Sequence, residues 1–171
     1  MFEEQSDRIL KPVKPSFIFW SLAFAFVFNL LPWRDLRGVP DLVALVLCFW
    51  SIYQPRLISI GIPFLAGLLM DAANGVLLGQ HALAYSVFAF VAQTLSRRIL
   101  WFRPTGQALH VLVLLLGVQM ISLGVRMATG GTFPGWTYFS GSGIAALLWP
   151  IATFLLLAPQ RAAEGNQKER F

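Results

Sequence analysis

The sequence contains a single cysteine, Cys48, and only two histidines among its 171 residues. One thiol excludes an intramolecular disulfide and a CxxC redox pair, and no cluster of cysteine and histidine has metal-ligand spacing. Neither Gly-rich pattern of a phosphate-binding loop is present. We therefore expect no cofactor and no bound metal. Cys48 lies in an apolar run, where we interpret it as a small buried side chain.

Charge is scarce as well, at 12% of the residues, whereas 57% are hydrophobic. The apolar residues form successive blocks rather than an amphipathic alternation, which is typical of an integral membrane protein whose first partner is the lipid bilayer. The net charge of +5 does not come from a basic face with interleaved aromatics, so no nucleic acid partner is expected. The polar ends, 1–16 and 159–171, are too short to fold independently.

The apolar blocks predict an all-α integral membrane protein, a bundle of six transmembrane helices within residues 17–158. The approximate spans are 17–33, 41–54, 57–70, 82–96, 108–126 and 142–158. The first span lacks a small-residue cleavage pattern, so we interpret it as an uncleaved helix rather than a secretory signal. Spans two and three are short for a hydrocarbon layer of about 30 Å. They are either two short helices, which we favour, or a re-entrant hairpin.

Basic residues set the predicted orientation of the bundle. Ten of the 13 lysines and arginines lie in the two tails and in the links that follow spans two and four. By the positive-inside rule, both termini are predicted to be cytoplasmic. Asp41 and Asp71 then lie near the outer face. Span four carries Tyr85 and Gln93, which can form hydrogen bonds with neighbouring helices.

The most polar stretch between two apolar runs is 61–86, which contains Asp71 and His81. An ionisable residue at the end of a span is costly unless it meets water or a partner, so Asp71 is a candidate site residue. It could also simply end span three among the lipid headgroups. A catalytic pair with His81 or Asp41 is conceivable in space, but no catalytic motif accompanies it.

Two glycines in this stretch, Gly75 and Gly79, have two possible roles. Their spacing is G-x-x-x-G, which allows helices to approach closely. Alternatively, Asn74 and Gly75 begin a turn, and both glycines serve it. The candidate partner or pocket residues are therefore Asp41, Asp71, Asn74, Gly75 and Gly79.

Between residues 40 and 98 the chain resembles the rod shape-determining protein MreD family. The resemblance is carried by the order and spacing of several motifs: Pro40-Asp41, a short apolar span, the glycine-containing span 61–70, Asp71 with Asn74 and Gly75, Leu78-Gly79, and the helix start at 81–85. No role for His81 follows from it.

The resemblance implies a non-enzymatic component of the bacterial cytoplasmic (inner) membrane, in the cell-elongation machinery or elongasome. MreD proteins act with the bitopic protein MreC, the MreB filament, the glycosyltransferase RodA and a class B penicillin-binding protein. Direct binding to MreC, and through it coupling of MreB filaments to periplasmic peptidoglycan synthesis and rod shape, is therefore expected.

The family is also similar to the six-helix substrate-binding components of energy-coupling-factor transporters, which implies an outward-facing pocket shaped by the candidate residues. The alternative function is therefore a small-solute-binding membrane component of a vitamin transporter. In that case Asp71, Asn74, Trp136 and Tyr138 would form the solute site on the outer face.

Overall fold

The computed structural model describes residues 13–31 and 38–168, with side chains described up to residue 159. Within these ranges the predicted all-α class is confirmed. Residues 1–12, 32–37 and 169–171, which include most of the predicted N-terminal tail and the end of span one, lie outside the described residues. The helices are α1 (Pro15–Leu30), α2 (Leu42–Tyr53), α3 (Gly61–Asn74), α4 (Gln80–Leu100), α5 (Pro104–Ala128) and α6 (Ser140–Lys168), with a 3-10 turn at Trp136–Phe139.

In the described part of the chain, two segments are long and apolar enough to cross a membrane, Pro104–Ala128 and Trp136–Pro159. Helices α1 and α2 are apolar but shorter. Helices α4 and α5 extend beyond the predicted spans 82–96 and 108–126 at both ends. Pro104 occupies the first turn of α5, where a missing backbone N–H costs nothing. Helix α6 continues past residue 158, so the predicted C-terminal tail begins as helix.

Helix α3 ends later than predicted, so Asp71 lies inside its last turn. The predicted span ended at residue 70, whereas α3 continues to Asn74. Gly75 caps the helix in the left-handed conformation, with φ of 62°, and the Val76 N–H donates to the Asp71 carbonyl at 3.1 Å. Asp71 therefore does not end the helix but lies in its last turn.

The same turn decides the role of the two glycines. Gly79 also has a positive φ, 105°, and a Cβ added to either Gly75 or Gly79 would meet no atom within 4 Å. Both glycines therefore serve the turn between α3 and α4. A close helix approach through this G-x-x-x-G pattern is not what the structure uses.

Helix α2 lies at the centre of the bundle. Nine of its 12 residues are buried, and it packs against α1, α4, α5 and α6. A helix that is apolar all round suits such a position. Phe49 contacts Trp50 and Trp149, with ring centroids 4.9 and 5.9 Å apart, and the Trp50 indole N–H donates to Ser21 Oγ at 2.9 Å. Cys48 is fully buried, as predicted.

Hydrogen bonds join several helices near the C-terminal end of α2. Gln107, at the start of α5, accepts from Tyr53 Oη at 3.2 Å and from Trp149 Nε1 at 3.1 Å. Gln93 Nε2 donates to the Ile58 carbonyl at 2.8 Å, so the predicted polar contact of span four is confirmed for Gln93. The link between α2 and α3 therefore reaches the end of the bundle where α5 begins.

Helices α3 and α4 pack closely through Gly67. A Cβ built at Gly67 would lie 2.4 Å from both Cα and N of Ala82. The two backbones therefore touch directly, which is the kind of helix contact that small residues permit in membranes. This contact places the last turn of α3 beside the first turn of α4.

Candidate partner and ligand site

Asp41 joins helices α1, α2 and α4 at the N-terminal end of α2. It is the N-cap of α2 and accepts from the Ala44 N–H at 3.0 Å. The same carboxylate accepts from Asn29 Nδ2 of α1 at 2.9 Å and from the Tyr85 hydroxyl of α4. Because Tyr85 is fully buried, its hydroxyl needs this acceptor. The predicted polar contact of span four is thus confirmed for Tyr85 too.

Tyr85→Phe is expected to lower the free energy of unfolding by about 1 kcal/mol, because it removes the bond between α4 and Asp41 but leaves the two nitrogen donors. Unfolding of the purified protein in mixed detergent micelles measures the change. Ser86→Ala is the control, since Ser86 Oγ bonds only to the Ala82 carbonyl of its own helix at 2.7 Å. Equal changes in the two variants would contradict a role of Tyr85 in joining the helices.

Asp71 caps helix α4 from the last turn of α3. Its carboxylate accepts from the N–H groups of Gly79 and His81, both at 2.8 Å, and from that of Ala82 at 3.4 Å. Gly79 precedes the helix and has no side chain that could cap it, so Asp71 supplies the missing acceptor. The negative charge also suits the positive end of the α4 dipole.

His81 completes the surroundings of Asp71. Its Nδ1 lies 2.8 Å from Asp71 Oδ1, and the Asp71 side chain is fully buried. The carboxylate can only accept, so we assign a proton to His81 Nδ1. Asp71 therefore receives four donors, which offset the cost of burying its charge. The structure pairs Asp71 with His81, whereas Asp41 pairs with Tyr85.

A cavity of about 720 Å³ lies at the end of the bundle where α2 and α4 begin. We call this end of the bundle the cavity end. Two of the predicted residues, Asp41 and Asn74, line it. Asp71, in the last turn of α3, and Gly75 and Gly79, in the turn between α3 and α4, lie beside it instead. The other polar side chains of the lining are Asn29, His81, Gln119, Ser122 and Tyr138, and apolar parts come from residues such as Leu30, Met70 and Val118.

Sequence reasoning missed two residues of α5 that line the cavity, Gln119 and Ser122. They are three residues apart and so share one face of the helix. Two polar residues at this spacing in an otherwise aliphatic span were the signal that could have identified them. Gln119 Nε2 donates to the Tyr138 carbonyl at 3.0 Å and thereby ties α5 to the 3-10 turn before α6.

The described residues form no cluster of metal ligands at the cavity end. Within 13–31 and 38–159, where side chains are described, no three His, Cys, Asp or Glu side chains lie close enough together to hold a metal ion. The cavity end instead carries a set of hydrogen-bonding groups. Two of them, the carboxylates of Asp41 and Asp71, already accept hydrogen bonds from donors of the chain. This arrangement suits recognition of a polar group beside apolar surface.

Comparison with known proteins gives consistent results over most of the chain. Residues 11–158 match the model of a family described as rod shape-determining protein MreD. The chain is 33% identical over 141 residues to the "Rod shape-determining protein MreD" of Haemophilus influenzae, in an alignment that covers 78% of this chain and 83% of the relative. No solved structure matches the chain, so the expected likeness to energy-coupling-factor components rests on the resemblance alone.

Proposed function

The chain belongs to the rod shape-determining MreD family, and from this membership we propose that it is a non-enzymatic, multi-pass component of the cell-elongation machinery that binds MreC directly. The family gives it a place in the membrane and a role in rod shape determination. The observation that carries the proposal is that the family match, residues 11–158, extends from before α1 to the end of the described side chains of α6.

We propose the outward face of α3 as the surface that receives the single transmembrane helix of MreC. Helix α3 packs chiefly against α4 among the described residues. Its exposed residues include Leu65 and Leu69, which are 60% and 58% exposed, Phe64 at 45%, and the small residues Gly61 and Ala72 near its two ends. Small residues beside leucines allow a second helix to approach closely, whereas the exposed face of α1 carries the bulkier Phe19, Trp20 and Phe24.

A site-specific photocrosslinker tests both the partner and the surface. Placed at Leu65, it is expected to form an adduct with MreC in native membranes, identified by mass spectrometry. Leu109 on α5 is the matched control, because it is exposed to a similar extent, 65%, but lies on another helix. An adduct from Leu109 but not from Leu65 would move the surface to α5.

A mild-detergent pull-down of the tagged protein tests the assembly itself. MreC in the eluate, together with MreB, RodA and the class B penicillin-binding protein, would support coupling of the cytoplasmic filament to peptidoglycan synthesis. An eluate without MreC would contradict direct binding.

Reporter fusions at both ends test the proposed cytoplasmic termini, which the distribution of basic residues supports.

The alternative, a solute-binding component of a vitamin transporter, is not favoured by the family assignment. Tyr138 and Asn74 line the cavity, whereas Asp71 lies in the turn beside it and Trp136 is 83% exposed. A bound vitamin and an ATPase module in the same eluate would be needed to restore this alternative.

A further inference from the structure

Two polar atoms of the cavity lining have no hydrogen-bond partner among the described residues. They are Gln119 Oε1 and Ser122 Oγ, both buried. The Gln119 amide is held by its Nε2, so its oxygen has a fixed direction, and the whole Ser122 residue is only 1% exposed. A buried polar atom without a partner costs about 1–3 kcal/mol. Gln119 Oε1 can only accept and the Ser122 hydroxyl can accept as well as donate, so the two atoms on one face of α5 suit a ligand that supplies hydrogen-bond donors.

The positions that would attract an anion at the cavity end are already filled. Helices α2 and α4 both begin there, and a helix N-terminus is a ready anion site. Asp41 occupies the N-terminus of α2 and Asp71 that of α4. No lysine or arginine is among the described residues of the lining. Among the described residues of the lining, the groups that remain free to bind a ligand are the acceptor Gln119 Oε1 and, beside it, the negatively charged Asp41 carboxylate.

We propose that this cavity binds an ammonium group. A primary ammonium has three N–H donors and a positive charge, which match the acceptors of Gln119 and Ser122 and the charge of Asp41. The apolar lining from Leu30, Met70 and Val118 suits an amphiphile that carries the ammonium, such as the headgroup end of phosphatidylethanolamine. The cavity of about 720 Å³ also has room for a small free amine. This proposal does not rest on the binding of MreC.

Native mass spectrometry of the intact purified protein tests the proposal. The protein is offered equal amounts of phosphatidylethanolamine and phosphatidylglycerol with the same acyl chains. The wild type is expected to retain phosphatidylethanolamine preferentially. In the double variant Gln119→Leu, Ser122→Ala, the ratio of retained phosphatidylethanolamine to phosphatidylglycerol is expected to fall about tenfold, because hydrogen bonds to a charged group are lost. Addition of free ethanolamine then separates the sources: displacement shows that the ammonium group suffices, and continued retention shows that the lipid is the ligand.

Ser51→Ala is the matched control, because Ser51 Oγ is another buried hydroxyl without a partner in the described chain but lies in α2 and does not line the cavity. It is expected to keep the wild-type preference. If the double variant unfolds, the lipid preference of the single variant Ser122→Ala is compared with that of the wild type instead. Equal retention of the two lipids, retention of neither, or full preference in the Ser122 variant overturns the proposal. The MreC pull-down is read separately, so either proposal can fail without the other.

Discussion

Gly67→Ala is expected to lower the free energy of unfolding by about 3 kcal/mol, although it adds only one methyl group. The new Cβ would lie 2.4 Å from the Cα and N atoms of Ala82, and these are backbone atoms that no rotamer change can move. Helices α3 and α4 must therefore separate. Thermal unfolding in detergent, followed by circular dichroism, measures the loss as a lower melting temperature.

Gly124→Ala provides the control with the opposite expected sign. Gly124 lies inside α5, and a Cβ there would meet nothing within 4 Å. Alanine is the better helix former by about 1 kcal/mol, so this variant is expected to be as stable as the wild type or more stable. Equal losses in the two variants would mean that the contact at Gly67 does not limit how closely α3 and α4 pack.

Asp71→Ala is expected to cost about 2–3 kcal/mol of unfolding free energy, because it leaves three backbone N–H groups and the His81 ring without their common acceptor. The variant is expected to insert into the membrane, since the apolar helices are unchanged. Recovery of MreC in the pull-down is expected to fall, because α3 and its turn lose their fixed position against α4.

Asn74→Ala is the control for Asp71. Asn74 lies three residues along the same helix, and its side chain is exposed, so its replacement is expected to change the unfolding free energy by less than about 0.5 kcal/mol. Similar stability of the two variants would show that the carboxylate of Asp71 is not needed to cap α4. Normal MreC recovery from a destabilised Asp71 variant would separate the turn from the partner surface.

The sequence predicts the helices better than their ends. Apolar blocks identify all six helices because burial in lipid or in the bundle requires them. The end of α3 was missed because Asp71 is polar, and its polarity is satisfied by the next helix rather than by water. That satisfaction depends on the backbone of Gly75 and Gly79, both with positive φ, which a hydropathy pattern does not report.

The candidate site was predicted only in part, for a related reason. Asp41 and Asp71 are conspicuous as carboxylates in an apolar sequence. The partner of Asp41 could not be assigned, because Tyr85 lies 44 residues from it and meets it only when α2 and α4 pack. Gln119 was overlooked in a span that otherwise looks uniformly aliphatic. Its significance comes from the cavity that other helices form around it.

The shortness of α2 has a consequence for the depth of the packed interior. At 1.5 Å per residue its 12 residues measure about 18 Å, whereas the 25 residues of α5 measure about 38 Å. The cavity reaches the N-terminus of α2 at Asp41, so the 12 residues of α2 cover the distance from the cavity to the end of the bundle where Tyr53 meets Gln107. Phe49 packs against Trp50 and Trp149 between these two ends, and all three side chains are fully buried, so aromatic rings fill the middle of the bundle.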